Sequence, residues 1–321
     1  MSTLYNSLPI TSCCRTVCEV MGVPCGEAAA PANQAVKALC DKAFSGRKAD
    51  RALLYNPDAI ALWLYQNYTH LFTGAMVSSQ LAIPMLSVMP SVTPVCFASM
   101  YTGLMPDGHG IKKYVKPVLT VDTVFDYFIR AGKKCAIVST TGDSMSEIFL
   151  NREMDYFIYD TVEEINLKAL ELIAQDKYDL LVVYNANYDG TMHKTGPEAP
   201  QAMEALRDNI WTYGRLVEAV EEHWKTMLHA AISEAAAQEP LPFFEKAFVA
   251  IRIVTPRGSD NTRVWDTSNR AIQVILNNLK GVFFHDDNME HMAFSVTGEW
   301  GKNGFTTIQI LDFEQVKSLW G

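Results

Sequence analysis

No apolar run in this chain is long enough to span a bilayer, so the sequence offers no membrane helix. The opening residues, Met1-Ser2-Thr3-Leu4-Tyr5-Asn6-Ser7-Leu8, lack a cationic stretch leading into an apolar core, and no secretory signal is expected. There is no Lys/Arg run in the tail, only scattered Arg252, Arg257, Arg263, Arg270 and Lys280. With a net charge of -9 and a pI of about 5.3, the chain advertises no basic patch for nucleic-acid phosphates. Cysteine is missing after Cys135, and Cys13, Cys14, Cys18, Cys25, Cys40, Cys96 and Cys135 show no Cys-x-x-Cys spacing of a zinc site. Their odd number and placement point to reduced packing cysteines in a cytoplasmic protein; Cys96 is read as a buried filler. No internal repeat is present.

What is there fits two folded units, since 321 residues suit about two domains on the usual size range. The first shows short apolar strands alternating with helical stretches. The strands are Ala52-Leu53-Leu54-Tyr55-Asn56, Lys134–Ser139, Asp155–Tyr159 and Tyr178–Tyr184. The helical stretches are Val121–Ala131, Val162–Ala174 and Glu198–Glu222, the last with Leu206, Ile210, Tyr213, Leu216 and Val217 on one stripe. Alternation of this kind predicts an α/β fold, a doubly wound and mostly parallel sheet. Residues 1–50 are expected to form helices draped over it. From residue 223 the order changes to α+β. A helix at 223–237 ends at Pro240 and Pro242, a strand follows at Phe248–Val254, then a helix at Ser268–Lys280 and two further strands at Met292–Thr297 and Phe305–Ile310, read as antiparallel. The expected domains are therefore 1–222 and 223–321.

Chemistry gathers at two segments of the first unit. In Tyr188-Asp189-Gly190-Thr191-Met192-His193-Lys194-Thr195-Gly196-Pro197, an Asp and a His four residues apart follow a buried strand. The carboxyl ends of strands are where open α/β sheets place their sites, and oxygen and nitrogen donors suit zinc or a similar divalent ion. Taken alone, a loop Asp and His such as Asp189 and His193 are more often solvated turn residues than ligands. In the second segment, Pro90-Ser91-Val92-Thr93-Pro94 through His109-Gly110-Ile111, a hydroxyl at a strand-to-helix turn becomes a nucleophile when a metal lowers its pKa. Thr93 is also a natural helix N-cap, and a helix N-terminus favours a phosphate.

With these motifs in view, the chain resembles the alkaline phosphatase superfamily, in its phosphodiesterase/nucleotide pyrophosphatase branch. The branch carries a Thr in Pro-x-x-Thr, then Thr-Gly-x-x-Pro-x-x-His-Gly-Ile, and later Asp-x-x-x-His-Lys-x-Gly-Pro. All occur here in order, and Asp58 lies just past the first strand where the family has its first metal-binding carboxylate. The likeness covers about residues 45–222. It implies Thr93 as the nucleophile and as a ligand of one metal, Asp58 on that same metal, and Asp189 with His193 on a second. Two zinc ions ~4 Å apart would clamp the attacking and leaving oxygens of a displacement on a small phosphoester or nucleotide. Asp58 also reads as a residue opening a helix at 58–63. His109 has no metal role in the pattern and is read as a turn or packing residue. The family's late Asp-His-Gly segment has no counterpart, for no Asp-His pair follows His193. Each metal is then left with two protein ligands, where three are usual for a catalytic zinc. The unit is read as a truncated one.

The tail carries Asp266 before its second helix and Asp286-Asp287 after it, a set that suits magnesium. Asp266 as an N-cap and Asp286-Asp287 as a solvated turn is the plainer account. The order of elements over about 223–312 is similar to the RusA family of Holliday-junction resolvases, with Ser268 where that family has its second Asp. That resemblance implies a magnesium-dependent homodimer acting on branched DNA. Three functions follow: a metal-dependent phosphoester hydrolase working through Thr93, a junction endonuclease working through the tail, or an inactive composite of two truncated units.

Overall fold

The computed structural model describes residues 8–44, 47–238, 240–256, 275–276, 279–280, 282–285, 290–301 and 305–317. In chain order the helices are α1 (Ser12–Val20), α2 (Gln34–Ala43), α3 (Leu62–Asn67), α4 (Thr73–Val77), α5 (Thr93–Thr102), α6 (Pro106–His109), α7 (Val124–Arg130), α8 (Ser144–Ile148), α9 (Val162–Gln175), α10 (Asn187–Thr195), α11 (Pro200–Gln238) and α12 (Phe313–Lys317). The strands are β1 (Ala52–Pro57), β2 (Cys135–Thr140), β3 (Asp155–Tyr159), β4 (Leu180–Asn185), β5 (Ala247–Pro256), β6 (Met292–Gly301) and β7 (Phe305–Asp312). Two compact units emerge, Met1–Leu39 with Lys48–Ala219, and Cys40–Arg47 with Val220–Gly321.

In the first unit the sheet order is β1-β4-β2-β3 and every pairing is parallel. Strand composition sets who sits in the middle. β4, Leu-Leu-Val-Val-Tyr-Asn, is buried at every position and β2 at all but its last, whereas β1 and β3 are only half-buried. A parallel strand covered on both faces reads as a continuous apolar run, and these two do. Side chains alternate across the sheet. Leu180, Val182 and Tyr184 enter one core with Cys135 and Ile137, while Leu181 and Val183 enter another with Ala136 and Val138. The first core takes residues of α1, α5, α7 and α8; the second takes Ile165, Ala169 and Leu172 of α9 and Leu216 of α11. Helices on both faces make this the doubly wound α/β layer expected from the alternation.

Burial, not ion pairing, holds the layer. Phe125, Phe128 and Phe149 are fully buried, and each side chain of that size contributes about 1.5–3 kcal/mol on leaving water. The exposed Arg130–Asp122 pair adds about 0–1 kcal/mol. Local signals set the helix ends. Thr123 with Asp126 and Thr161 with Glu164 form reciprocal capping boxes at α7 and α9, and Gly103 closes α5 in the left-handed region at φ 75°.

The stretches at 198–222 and 223–237 are parts of one helix, α11, because no proline or cap signal separates them. In the second unit the sheet order is β6-β5-β7, with β6 parallel and β7 antiparallel to β5. The last two strands therefore run in opposite directions, as the antiparallel reading has them, with β5 between them. β5 is apolar from Ala247 to Ile251; its alternate residues Ala247, Val249 and Ile251 build the core with Leu276, Leu279, Phe283 and Phe284, and both its edges are paired. Most of the helix expected at 268–280 lies outside the described residues.

Candidate active site

The pairing of β1 with β4 builds the site. Their register sets Asn56 against Tyr184 and Pro57 against Asn185, so the two chains leave the sheet side by side at its carboxyl edge. Asp58 is the next residue, and its N–H donates to the Asn185 carbonyl at 2.9 Å. Ala59 then turns the backbone at φ 61°, in a region that non-glycine residues seldom occupy, and its N–H donates to Asp58 Oδ1 at 2.7 Å. Oδ1 is thereby engaged in the turn. Oδ2 accepts from the Thr93 hydroxyl at 3.1 Å and from the Tyr184 phenol at 2.5 Å. Asp58 does not open a helix, since α3 starts only at Leu62.

Thr93 is the first residue of α5, with Val92 as the cap and Pro94 next in line. The N-cap reading is thus corrected: the extended Val92 ends the approach, and proline in the first turn starts the helix without needing its missing N–H. Beneath this end, Phe97 packs edge-on to Tyr184 with ring centroids 5.1 Å apart, and Tyr101 stacks on Phe125 at 5.4 Å. The nucleophile candidate therefore rests on a rigid aromatic layer.

Asp189 and His193 lie on α10, not on a loop, and the i,i+4 spacing brings His193 Nε2 to 3.3 Å from Asp189 Oδ1. Tyr188 anchors that helix: its ring is buried and its hydroxyl donates to the Pro197 carbonyl at 3.0 Å. The His193 side chain is 71% exposed and Asp189 27%. Burial raises the Asp189 pKa above the usual carboxylate range, the charge of Asp58 raises it further, and His193 opposes both. The two pairs from separate motifs thus share one electrostatic field. Tyr184 is raised as well, by burial first and then by Asp58, so it stays a protonated donor.

The donors present, two carboxylates, a hydroxyl and an imidazole, are of the type that holds zinc-like ions. The Asp58 charge that raises Asp189 marks a place where a cation would offset the repulsion. Among the described residues, no third His, Cys, Asp or Glu joins either pair in a cluster whose ligand atoms all lie within 4.8 Å of one another. His109 is a packing residue. It is buried, with Nε2 2.9 Å from Ser99 Oγ and Nδ1 accepting the Ile111 N–H at 3.2 Å, and burial lowers its pKa. Cys96 is half-buried, its sulfur 3.3 Å from Ser87 Oγ. The tail carboxylates Asp266, Asp286 and Asp287 lie outside the described residues.

Sequence reasoning missed Tyr184, taking it for the apolar end of a strand. The one available signal was position: a hydroxyl-bearing residue at the carboxyl end of a central strand. It also missed Asp143, which follows β2 and caps α8 through a 2.6 Å bond from the Ser146 N–H.

Comparison with known proteins bears on one part of this arrangement. A profile of the type I phosphodiesterase / nucleotide pyrophosphatase family matches residues 63–127. That stretch holds Thr93 and all of α5, while Asp58, Asp189 and His193 fall outside it. No curated protein matches the chain. Among solved structures, murine ectonucleotide pyrophosphatase / phosphodiesterase 5, in an inactive form with AMP, is similar at 16% identity and a TM-score of 0.43, over 55% of this chain and 53% of its own. Phosphonoacetate hydrolase from Sinorhizobium meliloti 1021, in complex with phosphonoacetate, is similar at 15% identity and a TM-score of 0.41, over 63% of this chain and 55% of its own. The chain spans about half the length of these solved structures.

Proposed function

We propose that the first unit is a phosphoester hydrolase of the phosphodiesterase/nucleotide pyrophosphatase kind, with Thr93 as nucleophile. The observation that carries the reading is the Thr93 hydroxyl donating to Asp58 Oδ2 at the first residue of a helix. The family match over residues 63–127 supports it.

Thr93 Oγ attacks phosphorus, its proton passes toward Asp58, and the ester oxygen leaves. The phosphorylated Thr93 is then released by water. Tyr184, hydrogen-bonded to the same Asp58 oxygen, fixes the carboxylate in the orientation that meets Thr93. The amino end of α5 favours the anionic phosphate. Asp58 and Thr93 would hold one divalent ion, Asp189 and His193 another. Such ions would supply Lewis-acid stabilisation of the phosphoryl charge and lower the pKa of the attacking hydroxyl.

One observation favours a second reading, an inactive site: each pair has two protein donors among the described residues where catalytic zinc commonly has three. Hydrolysis of a chromogenic phosphodiester by the full chain in added zinc separates the two. Turnover by the wild type that vanishes in Thr93→Ala supports the first. Equal rates in wild type and Thr93→Ala overturn it.

A further inference from the structure

Cys14, Cys18 and Cys25 bring their Sγ atoms within 4.8 Å of one another, at a place the Thr93 site does not use. Cys14 and Cys18 lie one turn apart on α1, so both sulfurs fall on one helix face. They are 1% and 0% exposed. Cys25 arrives from the loop after the helix, and that loop is fastened by its backbone. Val23 N–H donates to the Cys18 carbonyl at 2.8 Å. Arg15, on α1 itself, reaches the carbonyls of Gly26 at 2.8 Å and Ala29 at 2.9 Å. Gly26 sits so close to the Tyr127 hydroxyl that a Cβ would not fit, and Ala30 N–H donates to the Gly103 carbonyl at 2.9 Å. These contacts place Cys25 without occupying its sulfur.

The three sulfurs are not equivalent. Hydrogen bonds from Cys14 and Cys18 hold the Cys25 thiol well below the usual range, helped by Arg15 and the Gly26 N–H. Hydrogen bonds to Cys18 and Cys25, then burial, push Cys14 up. A sulfur that ligates a metal does so as the thiolate, and three sulfurs converging from one helix face and the following loop, two of them buried, can supply that together.

We propose that Cys14, Cys18 and Cys25 form a three-thiolate site for a soft, thiophilic ion of the zinc, cadmium or cuprous class. Sulfur donors select such ions over magnesium or calcium. Metal–sulfur bonds of ~2.3 Å in a tetrahedral arrangement set sulfurs about 3.8 Å apart, so no edge of the 4.8 Å cluster has to close by more than about 1 Å. On uptake each sulfur binds as the thiolate and any thiol proton it carried passes to solvent, while the Arg15 charge offsets the sulfur charge.

Titration of the reduced full chain with Cd(II) tests this, read as the ultraviolet sulfur-to-metal charge-transfer band. The expected result is a band that saturates at one equivalent. Cys25→Ser, the least buried of the three positions, weakens binding at least tenfold without disturbing the helix core. Cys40→Ser keeps the band, and so does the Asp58→Asn, Asp189→Asn chain, whose altered site holds no sulfur. A wild type without the band, an undiminished band in Cys25→Ser, or a disulfide at Cys25 that persists under reductant overturns the proposal.

Discussion

Tyr184 donates to the same oxygen of Asp58 that accepts the Thr93 hydroxyl, at 2.5 Å against 3.1 Å. The phenol is the nearer donor, so it sets where the carboxylate points and Thr93 adapts to it. Tyr184→Phe removes a hydrogen bond to a charged group, worth about 1.5–3 kcal/mol. The expected outcome is a lower urea midpoint and a turnover number that falls with KM nearly unchanged, because the phenol orients Asp58 and does not touch substrate. A KM that rises in step with an unchanged turnover number would contradict this role.

Asp189 is held in a field that disfavours its charge, through burial and through Asp58. Asp189→Asn keeps the shape and removes the repulsion. Without added metal this variant is expected to melt higher than wild type, by about 1–3 °C for a domain of this size. With zinc added the order reverses, since a bound ion stabilises only the chain that holds it. Paired thermal scans with and without zinc check the reversal. Stabilisation by zinc that is the same in both chains would rule out Asp189 as a ligand.

The parts legible in the sequence were those set by local pattern. β2 and β4 are unbroken apolar runs, and that is the mark of a covered parallel strand. The Thr93 and Asp189–His193 segments stood out through their motifs. What stayed hidden depends on pairing between distant segments. The register of β1 against β4 crosses more than a hundred residues, and only it puts Asp58 beside Tyr184. An aromatic at the end of an apolar strand looks like core until that register is known. Cys25 is a similar case. The helix spacing of Cys14 and Cys18 is visible in the sequence, but the return of Cys25 rests on Arg15 gripping the carbonyls of the following loop. In the tail, neighbours in sequence usually pair; β6 and β7 instead take opposite edges of β5.

Asp126 ties the start of α7 to the loop between α8 and β3. Its Oδ2 accepts from the Thr123 N–H and hydroxyl at 2.7 Å each and from Arg152 Nε at 2.9 Å. Burial opposes its charge, but these bonds prevail and its pKa ends below the usual value. A carboxylate with a depressed folded pKa stabilises the fold fully above its unfolded value of about 3.9 and loses that contribution as pH falls through the folded one. Asp126→Asn is therefore expected to cost about 2–3 kcal/mol at pH 7, leaving Arg152 buried and unpaired. The deficit shrinks as pH falls below about 4. Urea midpoints at pH 7 and in that acid range give both numbers, and a deficit that is constant with pH would refute the assignment.

Gly103 joins the end of α5 to the loop that carries Cys25. Its φ of 75° is left-handed, and a Cβ there would lie 2.7 Å from the Ala29 side chain, with the Ala29 backbone behind it at 3.1 Å. The side chain cannot swing away, so the backbone must move. Gly103→Ala should cost about 1–2 kcal/mol for the conformation, with the clash in addition. The strain falls on the 26–30 loop rather than on Thr93, which lies at the opposite end of the helix. The variant is thus expected to melt lower and to take up Cd(II) more weakly, while phosphodiester turnover per folded molecule stays at the wild-type level. A variant that binds Cd(II) as wild type does but loses turnover would place the strain at the other end of α5.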